Sequence, residues 1–147
     1  MSVVRSSEMV DAPPQEVWRI VADPRNLPRW NRHIQRVTGV SDNPLKKGSK
    51  YEAELRAVGL SSRVEATVVD IDPPRSAEVR LTGPLEAVVI TRLKPVGAGR
   101  TLLEHEVEYR LKGGPLGEML GRALSRLGAG SVLKRGTRAQ KRQVEDG

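Results

Sequence analysis

Two histidines, two tyrosines and no cysteine leave a short inventory of groups able to move protons. His105 is the strongest candidate. If the Gly97-Ala98-Gly99 turn is tight, His105 faces Thr91 across a hairpin, with Tyr109 on the same alternating face. An imidazole, a hydroxyl and a phenol so placed can donate or exchange protons with a carbonyl-bearing molecule, the work of general acid–base catalysis. They can equally satisfy one another's hydrogen bonds and only tune the polarity of an interior, the commoner fate of buried polar groups. His33, in a basic segment after Trp30, reads as a surface residue near a pocket mouth. Two separated histidines without a convergent carboxylate do not make a metal site, so no metal and no cofactor is expected. Zero cysteines exclude thiolate nucleophiles, cysteine-ligated zinc, iron–sulfur clusters and disulfides.

Strands must position these groups. From Arg36 to Leu111 the chain alternates between apolar and charged residues and is punctuated by Gly59, Pro73-Pro74, Gly83-Pro84, Gly97-Ala98-Gly99 and Gly113-Gly-Pro115. That pattern predicts consecutive antiparallel strands with one apolar and one charged face. Tyr51, Ala53, Leu55 and Ala57 share an inner face, as do Ala77, Val79 and Leu81. Leu103, His105, Val107, Tyr109 and Leu111 do likewise, which puts Glu104, Glu106 and Glu108 outside as a solvated, charge-paired row. The hairpin register pairs Leu93 with Leu103, Thr91 with His105, Val89 with Val107, Ala87 with Tyr109 and Arg92 with Glu104. Val88 and Ile90 then face outward, so either a bulge switches the parity or they form a contact patch. The weaker alternation from Ser62 to Ile71 suggests a bulge near Val68-Val69.

Two short helices precede these strands. Pro13-Pro14 opens the first, whose inward face is Val17, Ile20 and Val21, because a helix's first N–H groups lack partners in any case. Asp23-Pro24 closes it, and Leu27 and Trp30 give a second short helix its apolar stripe. Trp18 and Trp30 are read as packing residues. After Pro115 the spacing of Leu116, Met119, Leu120, Ala123, Leu124 and Leu127 predicts a long terminal helix, with a kink or break at Gly128 or Gly130. Beyond it Lys134, Arg135, Arg138, Lys141 and Arg142 read as a basic end, about residues 129–147, extended or disordered. A curved sheet over one helix, with small alanines inside and no Phe to fill the gap, favours a cavity.

With 147 residues, 37% of them hydrophobic, the chain can bury one core and reads as a single domain, 1–147. No apolar run is long enough to span a membrane and no signal-peptide pattern opens the chain, so a cytoplasmic protein is expected. The net charge of +7 invites a nucleic-acid reading, but no recognition helix or aromatic platform accompanies it, and no specific nucleic acid is expected. The basic end could instead touch an anionic membrane surface peripherally. The protein is expected as a monomer or homodimer.

Ala12-Pro-Pro-Gln-Glu-Val-Trp18, Asp23-Pro24 followed by Leu27-Pro-Arg-Trp30, Asp72-Pro-Pro-Arg75, and Gly99-Arg-Thr101 leading to Val107-Glu-Tyr109 stand in an order that resembles one family. It is the polyketide cyclase/dehydrase branch of the START-like, Bet v 1-like (SRPBCC) superfamily, over roughly residues 2 to 127. The resemblance implies an α+β helix-grip fold: a seven-stranded curved antiparallel sheet wrapped around a long C-terminal helix, with two short helices between strands 1 and 2. It also implies an apolar pocket for a hydrophobic small molecule. The strand parity lines that pocket with Tyr51, Ala53 and Leu55, then Val79 and Leu81, then Val89, Leu103 and Val107. The helix adds Leu120 and Leu124, and Leu27 and Trp30 stand at the entrance. Three functions follow: binding a lipid, isoprenoid or polyketide-like molecule; polyketide cyclisation or dehydration by His105, Thr91 and Tyr109; or protein or membrane interaction through the basic C-terminal helix.

Overall fold

A β1 strand, Ser2–Val10, leads through α1, Pro14–Val21, a 3-10 turn, Pro24–Asn26, and α2, Leu27–Trp30, into β2, Ile34–Thr38. There follow β3, Lys50–Ala57, β4, Leu60–Asp72, β5, Ser76–Thr82, β6, Leu85–Pro95, and β7, Thr101–Leu111; the long helix α3 is Ala129–Asp146. The computed structural model describes residues 2–57, 60–115, 117–118, 121–122, 125 and 128–147.

All the strands join one antiparallel, curled sheet in the order β1-β7-β6-β5-β4-β3-β2. Consecutive hairpins generate β2 to β7, and β1 closes the far edge against β7. The β6–β7 register is the one the alternation requires: Leu93 pairs with Leu103, Thr91 with His105, Val89 with Val107 and Ala87 with Tyr109. The intervening turn closes with Val96 N–H donating to the Arg100 carbonyl at 2.9 Å, and Gly97 and Gly99 take the positive φ values that favour glycine. β4 shifts register between Val68 and Asp70, where its alternation weakens.

No bulge rescues Val88 and Ile90. β6 runs without a register shift, so both lie on the outer face, Val88 between Arg80 and Glu108 and Ile90 between Glu78 and Glu106. They are half-buried rather than bare, as expected where long charged side chains lay their stems over apolar neighbours. Elsewhere on that face Glu106 pairs with Arg5 at 2.7 Å and Glu104 with Lys94 at 2.9 Å. These are exposed pairs of the kind that contribute at most about 1 kcal/mol.

The basic end is neither extended nor disordered. Gly128, at φ +74, starts the helix and Ala129–Asp146 continues it to the C-terminus, packed mainly on β1. Its neutral stripe of Leu133, Gly136, Thr137, Gln140 and Val144 repeats every three or four residues and turns inward, while Lys134, Arg135, Arg138 and Arg142 face solvent. Glu8 on β1 receives Arg138 at 3.4 Å. The gripping helix is therefore built from the segment that looked most solvated. Leu116, Met119, Leu120, Ala123, Leu124 and Leu127, expected to supply its apolar face, lie outside the described residues.

One end of the sheet is packed solid. Val10, Ala12, Val17, Leu93 and Leu103 form a buried cluster against Trp18, Val21 and Val144. Thr101 donates its hydroxyl to the Ala12 carbonyl at 2.8 Å and fixes the entry to α1 there.

Candidate functional site

Between the sheet, α3 and the short helices lies a cavity of about 360 Å³. The sheet that bounds it is ordered in cross-strand rows, of which all members but Ala87 and Ser6 line the cavity. Tyr51, Ala66, Leu81, Ala87 and Tyr109 form one row across β3 to β7. The next is entirely valine: Val68, Val79, Val89, Val107 and, on β1, Val4. Then come Ile71, Ala77, Thr91, His105 and Ser6, the polar row.

His105, 7% exposed, is held on both ring nitrogens. Its Nδ1 lies 2.8 Å from Thr91 Oγ1 and its Nε2 lies 2.6 Å from Gln140 Oε1 on α3. An amide oxygen only accepts, so Nε2 carries the proton and donates to Gln140, and Nδ1 accepts from the Thr91 hydroxyl. Burial pushes the imidazole below its usual 6.5, against a smaller upward pull from the Gln140 bond. The ring is neutral at neutral pH. Below 6.5 the unfolded chain takes up a proton that the folded chain refuses, so stability should fall on acidification, by up to about 1.4 kcal/mol per pH unit. Urea titrations at pH values between 6.5 and the carboxylate range should show that slope, and His105→Leu should flatten it.

Tyr51 is 9% exposed, and burial pushes its phenol up to about 12, so it stays protonated. Ser6 Oγ, across β1 from His105, is buried without a hydrogen-bond partner among the described residues. An unpartnered buried hydroxyl carries a penalty of about 1–3 kcal/mol. Ser6→Ala should therefore leave the melting temperature unchanged or raise it, by an increment worth about 1 kcal/mol.

His105, Thr91 and Tyr109 all face this cavity, together with Leu27, Trp30, Tyr51, Ala53 and Leu55, and with Val79, Leu81, Val89 and Val107. Leu103 is corrected: it does not line the cavity but lies in the packed end cluster, fully buried with Val10 and Leu93. Its pairing with Leu93, one row beyond the polar row, takes it past the end of the cavity. Leu120 and Leu124 lie outside the described residues. Trp30 is an inner wall residue, 8% exposed, with its indole N–H donating to Gln143 Oε1 on α3 at 2.8 Å. Gln143 also donates from Nε2 to Asn26 Oδ1 at 3.3 Å, tying the short helices to α3. His33 is half-buried and lies off the cavity wall.

Sequence reasoning missed lining residues on β1, β2 and β4, among them Val4, Ile34, Ala66 and Val68, and a whole set on α3: Val132, Leu133, Gly136, Thr137 and Gln140. The signal for the α3 set was the three-and-four spacing of neutral residues among the cations. Among the described residues no three His, Asp, Glu or Cys side chains come together, so they assemble no metal centre. None of the described helices is long and apolar enough to cross a membrane.

A curled antiparallel sheet closed over an apolar cavity by one long helix defines the helix-grip class. The chain belongs to the polyketide cyclase/dehydrase and lipid transport family, within the START-like, Bet v 1-like superfamily; the family model matches residues 1–145. The match extends through α3, beyond the stretch the motifs covered. Among solved structures, a conserved protein from Geobacillus kaustophilus is 19% identical with a TM-score of 0.77, over 99% of this chain and 96% of that one. Zhui aromatase/cyclase from Streptomyces is 18% identical with a TM-score of 0.70, over 97% and 95%. A START superfamily protein from Mycobacterium smegmatis is 19% identical with a TM-score of 0.68, over 98% and 97%. At such identities the likeness concerns the fold. Comparison with curated proteins gives no match.

Proposed function

We propose that this protein binds a hydrophobic small molecule, such as a lipid, isoprenoid or polyketide-like compound, in the cavity between the sheet and α3. The observation that carries this reading is a space of about 360 Å³ walled by valines, alanines and leucines, within the size range of ligand pockets. Interiors are normally close-packed, and an unfilled void of this size forgoes several kcal/mol of packing on the scale of engineered cavities. A bound apolar molecule restores those contacts and stabilises the fold by mass action.

Cyclase or dehydratase chemistry by His105, Thr91 and Tyr109 draws support from the family and from their common cavity. The geometry favours binding over it: both imidazole nitrogens already have protein partners, so the ring has no free position from which to take or give a ligand proton. An interaction role has weaker support, because Val88 and Ile90 are half-covered and the neutral face of α3 is turned inward.

Native mass spectrometry of freshly purified protein tests the binding reading. A co-purifying hydrophobic mass, absent from a variant with a filled cavity, is the expected result. Identical spectra from the two proteins, with no titratable binding of any apolar probe, would overturn it.

A further inference from the structure

The cavity wall is not uniformly apolar, and two of its polar side chains, Gln140 and Tyr51, lie at different levels. At the level of the polar row, Gln140 is 6% exposed and uses Oε1 to accept from His105. Its amide N–H groups have no partner among the described residues, and the side chain lines the cavity. An amide nitrogen can only donate. At the other level Tyr51, also buried and lining the cavity, makes no hydrogen bond through its hydroxyl among the described residues. Both side chains belong to the cavity lining and so stand against what occupies it.

Between these levels runs the valine row, with nothing polar to offer. Along β7 the polar row passes through His105, the valine row through Val107 and the tyrosine row through Tyr109. Four residues of strand separate the outer two, about 13–14 Å along the strand direction. Among the described residues no Asp, Glu, Lys or Arg lines the cavity. A carboxylate, phosphate or ammonium buried there would lack a counter-charge and would be strongly disfavoured.

From this arrangement we infer that the ligand is an elongated, uncharged, apolar molecule with an oxygen function at each end, one accepting from Gln140 Nε2 and the other hydrogen-bonded to the Tyr51 hydroxyl. The inference rests on the cavity-binding reading and names the class of molecule that fits it. Neutral long-chain diols, hydroxyketones and diketones belong to that class. Fatty acids in their ionised form and phospholipid headgroups do not.

Displacement of Nile red, a neutral solvatochromic dye, by α,ω-dodecanediol, dodecanol, dodecane and dodecanoate separates the possibilities. The diol should compete about tenfold better than the alcohol, and the alcohol about tenfold better than the alkane, the range expected for one hydrogen bond each. Dodecanoate should be the poorest oxygen-bearing competitor at alkaline pH. Tyr51→Phe, which keeps the ring and removes only the hydroxyl, should bring diol and alcohol to equal affinity while alkane binding is unchanged. Equal competition by diol, alcohol and alkane, or an unchanged diol preference in Tyr51→Phe, would overturn the inference and leave the cavity reading standing. No uptake of dye or of any competitor would overturn both.

Discussion

Ala66→Trp should fold, melt no lower than the wild-type protein and lose affinity for apolar ligands by at least about a hundredfold. Ala66 is 1% exposed, sits mid-sheet on β4 between Tyr51 and Leu81, and lines the cavity. An indole at that position projects into space a ligand would occupy. The sign of the stability change is informative. In a close-packed interior the added volume forces neighbours off their rotamers and costs about 1–3 kcal/mol. In a true cavity it supplies the missing contacts and is neutral or stabilising. Ala77→Trp fills the same cavity from the polar row on β5 and should behave alike. Dye titration and thermal melts on both variants check the prediction. A large drop in melting temperature with wild-type ligand uptake in both would mean that the space is not where the ligand sits.

The His105–Gln140 pair should be strongly non-additive. Gln140→Leu leaves the His105 Nε2–H buried without an acceptor, and His105→Leu leaves the Gln140 carbonyl oxygen without its donor. Each single change should cost about 1–3 kcal/mol, the penalty of a buried polar group stripped of its partner. Removing both replaces a polar pair by apolar side chains, and the double variant should recover at least about 1 kcal/mol of the summed loss. Urea unfolding of the four proteins closes the cycle. Strict additivity would mean that the 2.6 Å contact between α3 and β7 does not couple the two residues energetically. Because this bond joins the helix to the sheet, its loss should also loosen the polar end of the cavity.

The local order of this fold was legible because its signals are short-range. Strand parity has a period of two, and a tight glycine turn fixes which residues face each other, so the Thr91–His105 pairing follows from Gly97 and Gly99 alone. Pro14 and Asp23-Pro24 delimit α1 for equally local reasons, as N-terminal start and pre-proline stop. Leu103 shares His105's parity yet lies beyond the end of the cavity. Alternation gives the face a side chain takes, not how far along the strand the hollow extends.

The cavity-facing residues of α3 went unnoticed for a related reason. Hydropathy favours a leucine-rich run over one made of Gly136, Thr137 and Gln140 among Lys and Arg. A helix that closes a cavity must instead leave room and offer hydrogen bonds, and small and neutral polar residues do that. By itself the sequence determined the strand register, the two short helices, the inward face of His105 and the family. Only the tertiary structure brought Gln140 to His105, 35 residues along the chain. It alone aligned five strands' worth of side chains into polar, valine and tyrosine rows. Those contacts depend on how far the sheet curls and where α3 crosses it, which are set by packing of the whole chain rather than by any local pattern.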